Sequence, residues 1–161
     1  VYEAAKEFNG AVIAPNTIRT IEGGLLSYQS DFGREHNPFT IGLDRLVDLE
    51  QDIDFIGKEA LKKIKEEGIK EKLVGVEIEG DPIQKAPENF WPVFNSSNNK
   101  IGRLSRCFYS PRLQKNIGLA ILAIDYVDPG TSIVIESPNA HLNAKVHQLP
   151  WFPAEKSTNL D

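Results

Sequence analysis

The stretch Lys72-Leu73-Val74-Gly75-Val76-Glu77-Ile78-Glu79 decides the fold, because the hydrophobic period of the chain changes to two here. Branched apolar residues alternate with glycine or glutamate, which is the pattern of a strand that buries one face. Further strands are predicted downstream, at about 100–106, 116–125, 131–136 and 142–148. Many short strands at this spacing are typical of a small antiparallel barrel or sandwich.

Upstream of this stretch the sequence has the features of helices. Asn16 or Thr17 is suited to cap a helix whose apolar face is formed by Ile18, Ile21 and Leu25. A pair of glycines falls inside this pattern. Glycines there indicate that the backbone closely approaches either a neighbouring element or a ligand.

A second helix is predicted from about Gly57 to Glu67, where Ala60, Leu61 and Ile64 face inward. The change from helical to alternating patterns then divides the chain. We therefore predict an α+β fold in two parts, residues 1–71 and residues 72–161.

The composition is that of a soluble globular protein, with 161 residues, 40% hydrophobic and 25% charged. The net charge of −5 argues against a general nucleic-acid binder. The single cysteine, Cys107, cannot form an internal disulfide, and no cluster has the spacing of zinc ligands.

We expect a cytoplasmic protein without a membrane span, since the longest apolar run, Ile117 to Ile124, is too short. The helical pattern of Tyr2 to Phe8 indicates a fragment of a longer chain.

Glu22 is the strongest candidate for a binding residue. A carboxylate beside two glycines presents two acceptor oxygens in one plane to a planar ligand that carries adjacent N–H donors. Tyr28, six residues further on, either flanks the same pocket or fills the core. Glutamate is also common on ordinary helices, so the residues alone leave a structural role open.

A basic stretch without acidic residues runs from Asn89 to Ile124. Its cations are Lys100, Arg103, Arg106, Arg112 and Lys115. An anion fits such a surface, and interleaved aromatic residues resemble a nucleic-acid surface. However, Arg103 and Arg106 are an odd number of residues apart, so a regular strand sends them to opposite faces. We therefore predict no nucleic-acid partner.

The histidines and the cysteine are interpreted without catalytic roles. His36, His141 and His147 are predicted to be surface residues, with His147 on the outer face of a strand. Cys107 lies among arginines, which can lower the pKa of a thiol, but a small buried strand residue is the simpler interpretation. Neither a catalytic triad nor a metal site is predicted, and the catalytic residues stay unknown.

Several separate motifs occur in a fixed order along the chain. They are Ile18 to Tyr28 (IRTIEGGLLSY), Asn37-Pro38, Gly42-Leu43, Phe55 to Leu61 (FIGKEAL), Tyr109-Ser110-Pro111 and Lys115 to Ala120 (KNIGLA). In this order they resemble the C-terminal half of the glycine-cleavage T-protein (aminomethyltransferase) family. The resemblance implies that residues 1–71 are the end of an α/β folate-binding core and that residues 72–161 are the family's C-terminal β-barrel.

The resemblance implies a tetrahydrofolate-dependent one-carbon transferase, with Glu22 at the position of the pterin-binding glutamate. Together with Glu22, Tyr28 is our candidate for binding this cofactor. The acidic residue that lies closest to the transferred carbon in this family belongs to the N-terminal half, and nothing here matches it. The missing N-terminal half is therefore an expected partner, and a homo-oligomer is the alternative way to cover the surface left open. The basic stretch is expected to hold the anionic glutamate tail of folate or to support the domain interface.

Within the family, the residues favour one branch. Ile21-Glu22-Gly23-Gly24, preceded by Pro15-Asn16, looks more like dimethylsulfoniopropionate demethylase than like T-protein, which usually has Leu-Glu-Ala-Gly, and so do Pro82-Ile83 and Trp91-Pro92-Val93. The favoured reaction moves a methyl group from a small sulfonium donor to a tetrahydrofolate nitrogen. The alternatives are a glycine-cleavage aminomethyltransferase and the folate-binding tail module of a sarcosine or dimethylglycine dehydrogenase.

Overall fold

The computed structural model describes residues 2–11 and 16–152. Within these ranges the helices are α1 (Tyr2–Glu7), α2 (Thr17–Glu22) and α3 (Lys58–Glu67), with 3-10 turns at Asp44–Leu46 and Ile124–Tyr126. Pro15 of the family motif and residues 153–161 of the predicted barrel part lie outside the described residues.

The strands of the described chain close into an antiparallel barrel in the order β1-β4-β3-β2-β5-β6. They are β1 (Glu71–Ile78), β2 (Trp91–Phe94), β3 (Lys100–Ser110), β4 (Lys115–Ala123), β5 (Ser132–Glu136) and β6 (His141–His147). Closure follows because β1 pairs with both β4 and β6. The predicted α+β fold with a small antiparallel barrel is confirmed, and the division at residues 71 and 72 stays a prediction.

Two strand predictions differ from the structure. Strand β2 is missing from the prediction because it has four residues and includes Pro92, which lacks the N–H that a strand interior normally donates. It nevertheless pairs with β3 and β5, with Val93 opposite Ile135. Strand β3 also continues to Ser110, beyond the predicted end, because β4 pairs with it along that length.

Strand β4 is buried on both faces along nearly all of its length. Its inward residues, Ala120 and Leu122, belong to the core inside the barrel. Its outward residues, Ile117 and Leu119, pack with Ile21 of α2 in a second apolar cluster. The uninterrupted apolar run in the sequence therefore reflects a strand that is covered by the barrel core on one side and by the N-terminal segment on the other.

Gly118 in the KNIGLA motif is required by the close approach of β3 and β4. A Cβ atom at this position would lie 2.7 Å from the carbonyl oxygen of Arg106 and 2.9 Å from Cδ1 of Leu104. Because backbone cannot withdraw as a flexible side chain can, glycine allows this packing and larger residues disrupt it.

Helix α2 is capped as predicted but is shorter than predicted. The side-chain oxygen of Asn16 accepts hydrogen bonds from two backbone amides of the first turn, at 2.9 and 3.2 Å. The helix ends at Glu22, since Gly23 is its C-cap and Gly24 adopts a φ of +64°, which glycine reaches without steric cost. Leu25 lies beyond the helix and is 61% exposed, so its predicted place on the buried face is wrong.

Helix α3 begins one residue after its predicted start and ends at the predicted residue. Ala60 is exposed, and Leu61 and Ile64 are only half-buried, so the predicted inward face does not pack against a core in the described chain. The nearby side chains of Leu46 and Ile53 are 66% and 73% exposed, and that of Ile56 is fully exposed. The segment of residues 46–56, which precedes α3, therefore exposes several apolar side chains, and we call it the 46–56 surface.

Candidate functional site

Glu22 ends α2 with a nearly buried carboxylate, only 7% exposed. Its Oε1 accepts a hydrogen bond of 2.6 Å from Oγ of Ser110 in β3. Among the described residues no donor reaches Oε2. The described chain thus fixes the carboxylate through one oxygen and provides no donor to the other.

Ser110 and Trp151 position Glu22 from two sides. Ser110 Oγ also accepts a 3.1 Å hydrogen bond from the backbone N–H of Leu113, which orients the hydroxyl proton toward Glu22. The backbone N–H of Trp151 donates to the carbonyl oxygen of Glu22 at 3.0 Å. The Trp151 ring stacks on His147 with centroids 3.9 Å apart, and its own Nε1–H is buried without a partner in the described chain.

Tyr28 lies in a turn that follows α2. Its side chain is 51% exposed, and its ring contacts Phe32 edge-on with centroids 5.7 Å apart. The alternative in which Tyr28 fills the core is therefore wrong. The ring is accessible on the same segment that carries Glu22, and its role toward a cofactor stays a prediction.

Asp31 and Arg106 form a buried ion pair that no pattern in the sequence predicted. Arg106 donates from Nε to Oδ1 of Asp31 at 2.8 Å and from Nη2 to Oδ2 at 2.6 Å. Ser105 Oγ donates to Oδ1 at 2.8 Å, and the Ser27 N–H donates to Oδ2 at 2.7 Å. The Asp31 carboxylate, which is fully buried, thereby accepts four hydrogen bonds, and these offset the cost of removing its charge from water.

A β-bulge at Ser105 turns Arg103 and Arg106 to the same face of β3. The register with β4 shifts between Leu104 and Arg106, and one extra residue reverses the alternation of side chains. The prediction that the two arginines face opposite sides is therefore wrong. Arg103 Nη2 lies 3.3 Å from Nε2 of His36, so both arginines contact the segment that precedes the barrel.

Other cations of the basic stretch also have partners. Lys115 pairs with Glu77 at 2.9 Å, and the guanidinium of Arg112 lies 3.6 Å from the centroid of the Phe152 ring. The stretch is therefore not an unpaired cationic surface. Arg103 and Arg106 support the interface between the N-terminal segment and the barrel, whereas a contact with the glutamate tail of folate stays a prediction.

The predicted surface position is wrong for His36, whose side chain is 3% exposed. Its Nδ1 accepts a 3.0 Å hydrogen bond from the N–H of Gly33, and Arg103 covers its other nitrogen. His141 is exposed as predicted, and His147 lies on the outer face of its strand as predicted, although Trp151 covers it.

Cys107 lies fully buried in the barrel core. Burial raises the pKa of its thiol to about 12, since the charged thiolate is disfavoured away from water. The thiol stays protonated at neutral pH, and the interpretation of Cys107 as a small buried strand residue is confirmed.

A cavity of about 830 Å³ opens between the loop of residues 83–92 and the turn of residues 136–139. Neither Glu22 nor Tyr28 lines it. The two candidate binding residues therefore lie outside this cavity.

Within residues 2–11 and 16–152, no group of three or more His, Cys, Asp or Glu side chains is arranged to hold a metal ion. None of the helices there has both the length and the apolar character that crossing a bilayer requires.

Residues 71–153, just over half of the chain, match the glycine cleavage T-protein C-terminal barrel domain. An aminomethyltransferase from Geobacillus sp. (strain WCH70) is 36% identical over 143 residues, which cover 89% of this chain and 38% of the relative. An aminomethyltransferase from Caldanaerobacter subterraneus is 36% identical over 149 residues, covering 91% of this chain and 38% of the relative. The chain therefore spans well under half the length of these relatives.

The fold is similar to that of a solved structure. The glycine cleavage system aminomethyltransferase T from Bartonella henselae superposes with a TM-score of 0.72 at 19% identity. The match covers 82% of this chain and 36% of that protein. At this identity the likeness supports the fold and carries no residue roles.

Proposed function

Because the chain belongs to the glycine cleavage T-protein family, through the family's C-terminal barrel domain, we propose that it is the C-terminal part of a tetrahydrofolate-dependent one-carbon transferase. The observation that carries the proposal is the Glu22 carboxylate, which is nearly buried and uses only one oxygen within the described chain. A buried carboxylate with a free acceptor is costly to hold unless a ligand or solvent completes it. The position of the Glu22 carboxylate suits a ligand with N–H donors.

Glu22 and Tyr28 are the residues of this chain that we assign to the cofactor. The pterin edge of tetrahydrofolate carries adjacent N–H groups, and the open Oε2 of Glu22 accepts from them while Ser110 holds Oε1. The exposed Tyr28 ring offers an apolar face on the same segment. Tetrahydrofolate, when bound, supplies the nitrogen that receives the one-carbon unit.

The first candidate for the donor is an aminomethyl group, as in glycine cleavage. The similarity of 34–36% to proteins named aminomethyltransferase supports this assignment. Such a transfer needs proton handling, because the amine leaves as ammonia. The groups that move this proton would come from the part of the protein that precedes this chain.

The second candidate is a dimethylsulfoniopropionate demethylase. It is favoured by Ile21-Glu22-Gly23-Gly24 in place of Leu-Glu-Ala-Gly. In that reaction the methyl–sulfur bond breaks as the methyl group bonds to the folate nitrogen, the sulfonium becomes a thioether, and the methylated nitrogen releases its proton to solvent. Alignment of the two reactants supplies most of the acceleration, since a sulfonium is already a good leaving group.

The experiment that tests the function uses the full-length protein that contains this chain. Tetrahydrofolate is offered with an aminomethyl-loaded lipoyl carrier or with dimethylsulfoniopropionate, and the folate products are measured by mass spectrometry. Methylene-tetrahydrofolate with ammonia identifies the aminomethyltransferase, whereas methyl-tetrahydrofolate with a thioether identifies the demethylase. Failure to bind tetrahydrofolate would overturn the whole proposal. Oxidation of sarcosine by a flavin would identify the third alternative, a dehydrogenase.

A related prediction concerns the 46–56 surface, which we assign to contact with the preceding part of the protein. Residues 1–161 alone are expected to self-associate, because Ile53 and Ile56 expose apolar side chains that water solvates poorly. Light scattering of the isolated chain measures this, and the control variant I53S/I56S is expected to shift it toward monomer. A monodisperse monomer at high concentration for the unmodified chain would contradict the assignment.

A further inference from the structure

The Asp31–Arg106 ion pair connects one residue of the barrel to several points of the segment that carries Glu22. Besides Asp31, Arg106 donates from Nη1 to Oγ1 of Thr20 at 3.0 Å and from Nη2 to the carbonyl oxygen of Leu25 at 2.9 Å. Thr20 precedes Glu22 by two residues and Leu25 follows it by three. A single guanidinium therefore binds a side chain before the candidate binding residue and a backbone carbonyl after it.

The same pair also closes the turn that contains Tyr28. Asp31 accepts from the N–H of Ser27, directly before Tyr28, and from Oγ of Ser105 in the bulge of β3. Only the bulge brings Ser105 and Arg106 to one face, and both side chains then meet one carboxylate. The contact thus joins three parts of the structure, α2, the turn of residues 27–32 and the barrel, and we call it the 31–106 junction.

Stability of the fold alone does not explain this arrangement of hydrogen bonds. A buried ion pair often stabilises a fold no better than apolar residues of similar volume. What it provides is geometry, because a bidentate arginine and a carboxylate with four donors allow few alternative arrangements. The segment around Glu22 needs such a restraint, since α2 has only six residues and Gly24, two residues after its end, has a positive φ.

We infer that Asp31 and Arg106 are positioning residues, which hold the Glu22–Tyr28 segment in the conformation that binds the cofactor. Neither residue is assigned a contact with the cofactor. This inference rests on the proposed function for its effect on binding, whereas its effect on the segment's conformation can be measured without any ligand.

The test uses the full-length protein and the variant D31L/R106M, which removes both charges together so that neither remains buried alone. A second variant, R106K, keeps the charge but loses the bidentate contact. The matched control is E59L/K62M, which removes an exposed ion pair of 2.9 Å on α3. We measure the dissociation constant for tetrahydrofolate, the melting temperature, and the amide hydrogen exchange of residues 20–31 without ligand.

Both junction variants are expected to exchange the amides of residues 20–31 at least tenfold faster and to bind tetrahydrofolate at least tenfold more weakly. The control is expected to change neither. In an E22Q background the junction variants should weaken binding by less than threefold further, because they act through Glu22. If the junction had a purely structural role, its variants would instead lower the melting temperature and would weaken tetrahydrofolate binding equally in the Glu22 and E22Q backgrounds.

The outcomes separate the two proposals. Unchanged amide hydrogen exchange of residues 20–31 in both junction variants would overturn the positioning role, regardless of the affinity for tetrahydrofolate. Faster exchange with unchanged affinity would also overturn it. If the unmodified protein binds no tetrahydrofolate, the proposed function fails, and the exchange measurement still decides whether the junction orders the segment.

Discussion

Replacing Glu22 by glutamine is expected to weaken tetrahydrofolate binding about tenfold to a hundredfold while the fold stays intact. Glutamine can keep its carbonyl oxygen toward Ser110 Oγ, which preserves the 2.6 Å contact, but its amide group then faces the ligand with donors. Hydrogen bonds to charged groups contribute roughly 1.5 to 3 kcal/mol, and about 1.4 kcal/mol corresponds to a factor of ten in affinity. Calorimetric titration of the full-length variant with tetrahydrofolate measures the loss.

Two controls accompany this measurement. Glu79→Gln makes the same substitution at an exposed residue of the barrel part and should leave affinity unchanged. Ser110→Ala removes the donor that fixes Oε1 and should weaken binding less than Glu22→Gln, because the charge remains. A lower melting temperature with unchanged affinity per folded molecule would show that Glu22 is a structural residue and would remove it from the site.

The barrel could be predicted because its strands are encoded locally. The alternation around Val76 requires no knowledge of the partner strand, and the apolar run of β4 marks a strand covered on both faces. The bulge at Ser105 could not be predicted in this way, since a bulge depends on how β3 and β4 pair across space. For the same reason the alternation rule gave the wrong faces for Arg103 and Arg106.

The candidate site was predictable only in its local part. Glu22 beside two glycines is visible in the sequence, and the glycines turn out to end α2 rather than to lie within it. Its partner Ser110 is 88 residues away, and Arg106 is 75 residues from Asp31. Local patterns carry no information on such pairs. Within the 31–106 junction, the hydrogen bond between the Ser27 N–H and Asp31 joins residues only four positions apart, so a local pattern could have indicated it.

Leu119→Ala is expected to lower the free energy of unfolding by about 2–5 kcal/mol and to weaken tetrahydrofolate binding per folded molecule. Leu119 is fully buried on the outer face of β4, where it packs with Ile21, the neighbour of Glu22. Truncation leaves a cavity between the barrel and α2, so the helix loses the apolar contact that seats its last turn. Chemical denaturation and calorimetric titration of the full-length variant measure the two effects separately.

Leu104→Ala is the matched control, because Leu104 is equally buried but belongs to the cluster inside the barrel. Its loss of stability should be similar, about 2–5 kcal/mol, since the same side chain is truncated in a packed core. Affinity per folded molecule should then stay unchanged, because the interior of the barrel does not contact α2. If the two variants weaken binding equally, the outer cluster has no specific role in seating Glu22, and the site depends on the stability of the barrel as a whole.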